Sequence, residues 1–389
     1  MLALVQTVCH AQQFENDNKL YKTISWNGFF DVLKNKPNTI FFDIRTLGER
    51  CDTSQYISYN QGWIKGAKPA DFFDFNKWYP EYQKYKDSTV YLYCSHSRRS
   101  RLLSKRLSDS GFVHLVNING GMTLLNASTD KEIPLKKAFY ESKLPFALVN
   151  PSLFIKKIKN TKVGLLDIRS DSMYQGIAVN EWENSFGTIP TAKHIALEKL
   201  EAQLAQLDKT KEWIILDNDG EESPKAAKIL LKNGFSNVGV LFHGLDFFTN
   251  NTALKQRAFL KSKYAVLTIE ELYKERENPN IEVIDVRTVT EFANTDTIEW
   301  KNRGRINKAK NITLDQFTKE ALAPYQGKKI VLYDLAMEED LYEAAKRLKS
   351  YGFEQFYILG GGLFGIHWRM ANQNQAYLSS ILDMRKLNQ

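Results

Sequence analysis

Cysteine is scarce in this sequence, with Cys9, Cys51 and Cys94 the only three in 389 residues. None are paired at metal-ligand spacing, which argues against a disulfide framework and a cysteine zinc site, and no metal or cofactor is expected. Long apolar runs are also missing. Nothing approaches the roughly 20 residues that cross a bilayer, so no membrane span is expected. A Lys/Arg block is lacking too: the net charge of +8 comes from basic residues scattered singly among acids. That pattern reads as a solvated basic surface and not as a nucleic-acid footprint. What remains, 43% hydrophobic and 25% charged residues with no low-complexity tract, is the composition of a globular protein. At 389 residues the chain exceeds one ordinary core and predicts several domains.

The first residues carry a short apolar stretch, Leu2 to Val8, followed by Cys9-His10-Ala11, small residues of the kind a signal peptidase needs. Residues 1–20 are therefore read as a leader or truncated signal peptide, with Gln12 opening the mature chain and a periplasmic or secreted location. The stretch is short, contains Gln6 and lacks preceding positive charge, so a cytoplasmic protein with a frayed N-terminus is the alternative.

The main feature is internal repetition. An apolar run ending in Asp, a branched residue and Arg occurs three times, at Asp43 to Arg45, Asp167 to Arg169 and Asp285 to Arg287. A second apolar run follows each, closing at Cys94, Asp217 and Asp334. Next comes an amphipathic helical stretch closed by Gly-Phe, over Leu102 to Gly111, Ala226 to Gly234 and Tyr342 to Gly352. A short apolar strand then leads to a glycine turn at Gly121, Gly244 and Gly361. Continuous rather than alternating apolar strands interleaved with helices imply parallel sheets buried on both faces. The expected fold is thus α/β, with three tandem domains over 21–145, 146–260 and 261–389, packed on one another.

Chemistry concentrates in the first copy, where Cys94-Ser95-His96-Ser97-Arg98-Arg99-Ser100 joins a strand end to a helix. Such a loop turns backbone N–H groups inward and makes a nest for an anion. Together with Arg98 and Arg99 it favours a thiolate, so Cys94 is the candidate nucleophile. Cys51 lies in a polar loop and reads as an ordinary thiol; resolving an oxidised Cys94 as a disulfide is the alternative. Trp63, Trp78, Tyr79 and Tyr82 either line the mouth of the Cys94 pocket or fill the core.

The DIR segment, the Gly-x-Ile-x-Gly-Ala stretch at Gly62 to Ala67, Cys-x4-Arg-Ser, the Gly-Phe helix end and the turn Gly120-Gly121 together resemble rhodanese sulfurtransferases. The resemblance implies that Cys94 carries a persulfide, that Ser95 to Ser100 cradle it, and that Arg99 is the loop arginine. Arg98 would draw in an anionic donor such as thiosulfate, and His96 would shape the loop mouth. Trp63 and Lys65 depart from the His and Pro frequent there, which bears on donor preference. Phosphatases of this fold use Cys-x5-Arg; here the sixth place is Ser100, and the shorter loop favours sulfur over a phosphoryl group.

In the second and third copies Asp217 and Asp334 take the cysteine's place and the loops are acidic, so neither forms a persulfide. The carboxylate is expected to occupy the nest itself, while Glu221, Glu222, Glu338 and Glu339 repel an anion. These copies read as structural or protein-docking domains, and His194, His243 and His367 as core or turn histidines. The expected activity is sulfur transfer from a small anionic donor to a thiol or cyanide-like acceptor. A binding scaffold or redox sensor with little turnover is the alternative.

Overall fold

A computed structural model describes residues 18–373 and 375–387. The apolar stretch Leu2 to Val8, Cys9 and the expected cleavage region lie outside the described residues. Three five-stranded parallel sheets follow one another along the chain. In the first, the strand order across the sheet is Lys22–Ile24, His114–Ile118, Thr89–Tyr93, Ile40–Asp43 and Lys68–Pro69. The second repeats it with Ala147–Val149, Val238–Leu241, Glu212–Leu216, Val163–Asp167 and Lys193–His194. The third repeats it with Ala265–Leu267, Phe356–Leu359, Lys329–Tyr333, Ile281–Asp285 and Lys310–Asn311. Apolar side chains from both faces of each sheet form separate cores: Phe42, Leu92 and Leu107 pack on one face of the first sheet, Phe41, Tyr93 and Ile118 on the other. Such two-sided burial is what continuous apolar strands require.

The DIR segments are structural clamps. Arg45 is fully buried and binds Asp43 through Nε and Nη2 at 2.9 and 2.6 Å, while Nη2 also reaches the Gly62 carbonyl at 2.7 Å. Arg169 and Arg287 repeat the arrangement with Asp167 and Gly187, and with Asp285 and Gly304. Each clamp fixes a strand end to the loop that follows it. A buried charge is tolerated here because it is paired with a carboxylate, although Nη1 of Arg169 and of Arg287 is left without a partner among the described residues.

Helices begin earlier than the periodicity predicts. The first site helix spans Arg98–Asp109, not Leu102 onward, and its counterparts are Ser223–Lys232 and Glu339–Ser350. Apolar spacing marks only the core-facing residues, here Leu103 and Leu107, with Ser100 and Ser104 buried beside them. The polar first turn belongs to the helix as well as to the loop.

The three domains touch in a ring. Glu221 of the second accepts the Ile57 and Ser58 amides of the first at 2.8 and 3.0 Å. Glu339 of the third accepts the Glu181 and Trp182 amides of the second. Asn372 of the third closes the circle, taking Arg101 Nη1 on its side-chain oxygen at 3.2 Å and Asn119 Nδ2 on its carbonyl at 2.6 Å. No helix among the described residues is long and apolar enough to cross a membrane.

Candidate active site

Cys94 ends the central strand Thr89–Tyr93 and is 1% exposed. Its Sγ lies 3.6 Å from Ser100 Oγ, which in turn contacts Asn117 Oδ1 at 2.5 Å and the Ser97 carbonyl at 3.1 Å. The loop turns at Ser97, whose φ of +69° is in the left-handed region. The equivalent third position beyond the strand end is left-handed in all three copies, at Gly220 (φ +86°) and Met337 (φ +66°). A non-glycine residue is held there at some cost, so the loop shape is imposed by the fold. Gly121 packs directly beneath: a Cβ on it would stand 2.4 Å from the Cys94 carbonyl oxygen. Met122 and Thr123 then donate their amides to the Cys94 and Ser95 carbonyls at 3.0 and 2.9 Å.

The third copy corrects one expected position. Gly362, not Gly361, lies under its loop, and Leu363 and Phe364 make the matching bonds to Asp334 and Leu335. An additional residue between Met337 and the end of the helix shifts the register by one.

Arg99 is brought to the loop by a residue that the sequence reading missed. Glu49 binds it with both oxygens, at 2.7 and 2.5 Å, and Arg99 Nη2 also reaches Ser95 Oγ at 3.0 Å. Burial pushes the Glu49 carboxyl up, but the Arg99 hydrogen bonds and charge outweigh this and hold it below the ordinary glutamate range. Glu49 also completes a capping box with Thr46, so the T-x-x-E pattern after the DIR segment was the signal available. Arg98 is exposed. Cys51 caps the short helix Leu47–Arg50.

His96 forms the loop mouth. Its Nδ1 lies 2.9 Å from Ser95 Oγ and its Nε2 3.0 Å from Thr123 Oγ1. Facing it are Tyr59, with ring centroids 6.0 Å apart, and His243 of the second domain at 6.2 Å. Gln61 joins the group, 3.2 Å from His243 Nε2. Burial, aided by Arg99, lowers the His96 pKa to about 4; burial, aided by His96, lowers that of His243 to about 3. Both imidazoles are therefore neutral near pH 7. His243 is indeed a turn residue, with φ +53°, and it also crosses a domain boundary. Trp78 and Tyr82 pack in the core with Phe42, and Trp63 lies in the pair formed by Trp63–Ile64 and Tyr140–Glu141.

In the second copy Asp217 Oδ1 accepts the Gly220 amide at 3.1 Å, and Oδ2 accepts those of Glu222 and Ser223 at 2.9 and 2.8 Å. In the third, Asp334 accepts the Met337 and Glu338 amides, both at 2.6 Å. Burial raises these carboxyl pKa values to about 6 and about 7. The acids around Asp217 face different partners: Glu221 the first domain, Glu222 Lys225 at 2.6 Å, and Asp219 the Glu221 amide.

The sequence model of the Rhodanese-like domain matches residues 30–128, 150–251 and 268–367. The chain belongs to the rhodanese-like family, as three tandem domains. A comparison with curated proteins finds no match. Among solved structures, a variant of EanB in complex with hercynine is 14% identical, covering 92% of this chain and 98% of that one, at a TM-score of 0.30. Thiosulfate sulfurtransferase from Pseudomonas aeruginosa is 14% identical, covering 89% of this chain and 65% of that one, at a TM-score of 0.23. The family assignment rests on the three sequence matches.

Proposed function

We propose that this rhodanese-like protein is a sulfurtransferase in which Cys94 of the first domain is the nucleophile. The observation that carries the reading is the pair of carboxylates in the other two loops. Asp217 uses amides at the third, fifth and sixth positions beyond it; the same positions in the first copy are Ser97, Arg99 and Ser100. On the same backbone path those amides would serve the outer sulfur of a persulfide on Cys94, an anion brought from outside in place of the built-in carboxylate.

With thiosulfate as donor, the Cys94 thiolate attacks the outer sulfur. An S–S bond forms to Cys94, the S–S bond of thiosulfate breaks, and sulfite leaves with the electron pair. Cyanide or an acceptor thiolate then attacks the outer sulfur of the persulfide and returns Cys94 as thiolate. No general base is required, which fits a His96 that is neutral and engaged with Ser95 and Thr123. Ser95, His96, Ser97 and Ser100 line the cradle, Arg99 orients it against Glu49, and exposed Arg98 attracts the donor.

The test is thiosulfate-to-cyanide transfer, with intact-mass measurement of a one-sulfur adduct on Cys94, in wild type and Cys94→Ser. Turnover and adduct lost together in the variant support the reading. A wild type that takes up no sulfur from thiosulfate or other sulfane donors sinks it.

A further inference from the structure

Counting back from the glycine that closes each site helix, Gly111, Gly234 and Gly352, the thirteenth position is Arg98, Glu221 and Glu339. Two of these make the joints of the ring. Glu221 holds the turn Ile57–Tyr59 of the first domain, and Glu339 holds the turn Glu181–Asn184 of the second. The third domain has the same turn, Glu299–Lys301, with Asn302 standing where Asn60 and Asn184 stand, each binding the backbone amide six residues before it. Its ring neighbour is the first domain, through Asn372, Arg101 and Asn119. That neighbour offers Arg98 in place of a glutamate, and among the described residues the Glu299 and Trp300 amides have no acceptor.

Exposure follows the same division. Trp182, the counterpart of Trp300, packs against the core of the third domain. Trp300 is 49% exposed, Ile298 45% and Phe364 37%. Trp300 stacks on Phe364 with centroids 6.2 Å apart, and Arg303 lies over the Phe364 ring. Arg98, without an acidic partner among the described residues, is exposed on the first domain. On the first domain's side of this seam stands a positive charge without an acidic partner among the described residues, and on the third domain's side an uncovered aromatic face.

We propose that this seam between the third and first domains docks a partner protein through an acidic segment carrying an aromatic or apolar residue three places after a glutamate. The two closed seams supply the pattern: Glu221 is followed by Pro224, and Glu339 by Tyr342, which is buried. A glutamate on the partner would satisfy Arg98 and the free amides, and its apolar neighbour would cover Trp300. Arg98 belongs to the Cys94 loop and opens the site helix, so a docked partner would face that site; the docking itself does not depend on sulfur chemistry.

The probe is a fluorescein-labelled peptide copying residues 335–346 of this chain, titrated with the full-length protein by anisotropy, without any sulfur donor. Saturable binding is expected, weakening with salt and falling by about tenfold in Trp300→Ala, in Arg98→Glu, or when the peptide's copy of Glu339 becomes Gln. Absence of saturable binding overturns the proposal. So does binding unchanged in Trp300→Ala, or displacement by glutarate at the peptide's own concentration, which would make the seam a small carboxylate pocket. A thermal melt of each variant separates lost binding from lost folding.

Discussion

The Cys94 loop and the Asp217 loop share a backbone and differ in what fills it. Both leave the end of a central parallel strand, turn through a left-handed residue at Ser97 or Gly220, and start a helix over the sheet. In the second domain the strand-end side chain is a carboxylate that takes three loop amides for itself. In the first it is a sulfur whose cradle has Arg99 on its rim and Glu49 behind it. The second loop thus carries a built-in anion, whereas under the proposed reading the first takes its anion from outside. The Asp217 loop is closed by its own contacts, whereas the proposed function gives the donors of the Cys94 loop to a ligand.

Exchanging the strand-end residues breaks the comparison most directly. Cys94→Ser is expected to reduce sulfur transfer by roughly 10³-fold or more with little change in thermal stability. Asp217→Cys is expected to gain no comparable activity, because Asp219, Glu221 and Glu222 remain around the second loop and repel a dianionic donor. Efficient sulfur loading of the second loop in the double variant Cys94→Ser, Asp217→Cys, read by intact mass, would mean that the nest alone suffices.

The next largest effect concerns what holds the rim. Glu49→Ala strands the mostly buried Arg99 guanidinium, whose side chain is 19% exposed against 4% for Glu49. Breaking a buried pair in this way costs about 3 kcal/mol. Denaturant unfolding should show that loss together with slower sulfur loading, and Glu49→Gln should recover part of both. If loading persists at the wild-type rate in Glu49→Ala, Arg99 does not need Glu49 to serve the loop. Smaller again is Asp217→Ala, which leaves loop amides without their acceptor and should cost about 2 kcal/mol, against less than about 1 kcal/mol for Cys94→Ala, which loses only a small apolar side chain.

Much of this was legible in the residues. The DIR repeats, the continuous apolar strands and the Gly-Phe helix ends specify the three sheets, because each reports a local requirement: a paired buried charge, two-sided burial, a left-handed helix stop. The acid at Asp217 and Asp334 likewise announced an occupied nest. Glu49 was not found, since its pairing with Arg99 spans fifty positions and its local pattern reads as a helix cap alone. His243 was legible as a turn residue but not as a neighbour of His96, because that contact depends on how two domains pack. The early start of the site helix escaped because a polar first turn carries no apolar period.

The smallest expected effect is a pH dependence that sharpens the contrast between the two loops. His96 and His243 are buried and neutral, with pKa values lowered to about 4 and about 3 from an ordinary value of about 6.5. Their contribution to the closed seam is complete above pH about 6.5 and is lost as pH falls toward about 4, because the unfolded chain takes up protons that the buried rings do not. Asp217 and Asp334 work in the opposite sense. With pKa values raised to about 6 and about 7, they take up protons first in the folded state, so their contribution grows as pH falls across that range. A global melt sums the two and blurs both. Hydrogen exchange at the Ile57 and Ser58 amides, corrected for intrinsic rates, isolates the seam: protection should be lower at pH 5 than at pH 7. In His243→Asn, a side chain that tolerates the left-handed turn, the pH difference should shrink. Equal protection at both pH values in the wild type would show that the two histidines do not control this joint, leaving the contact to Glu221 alone.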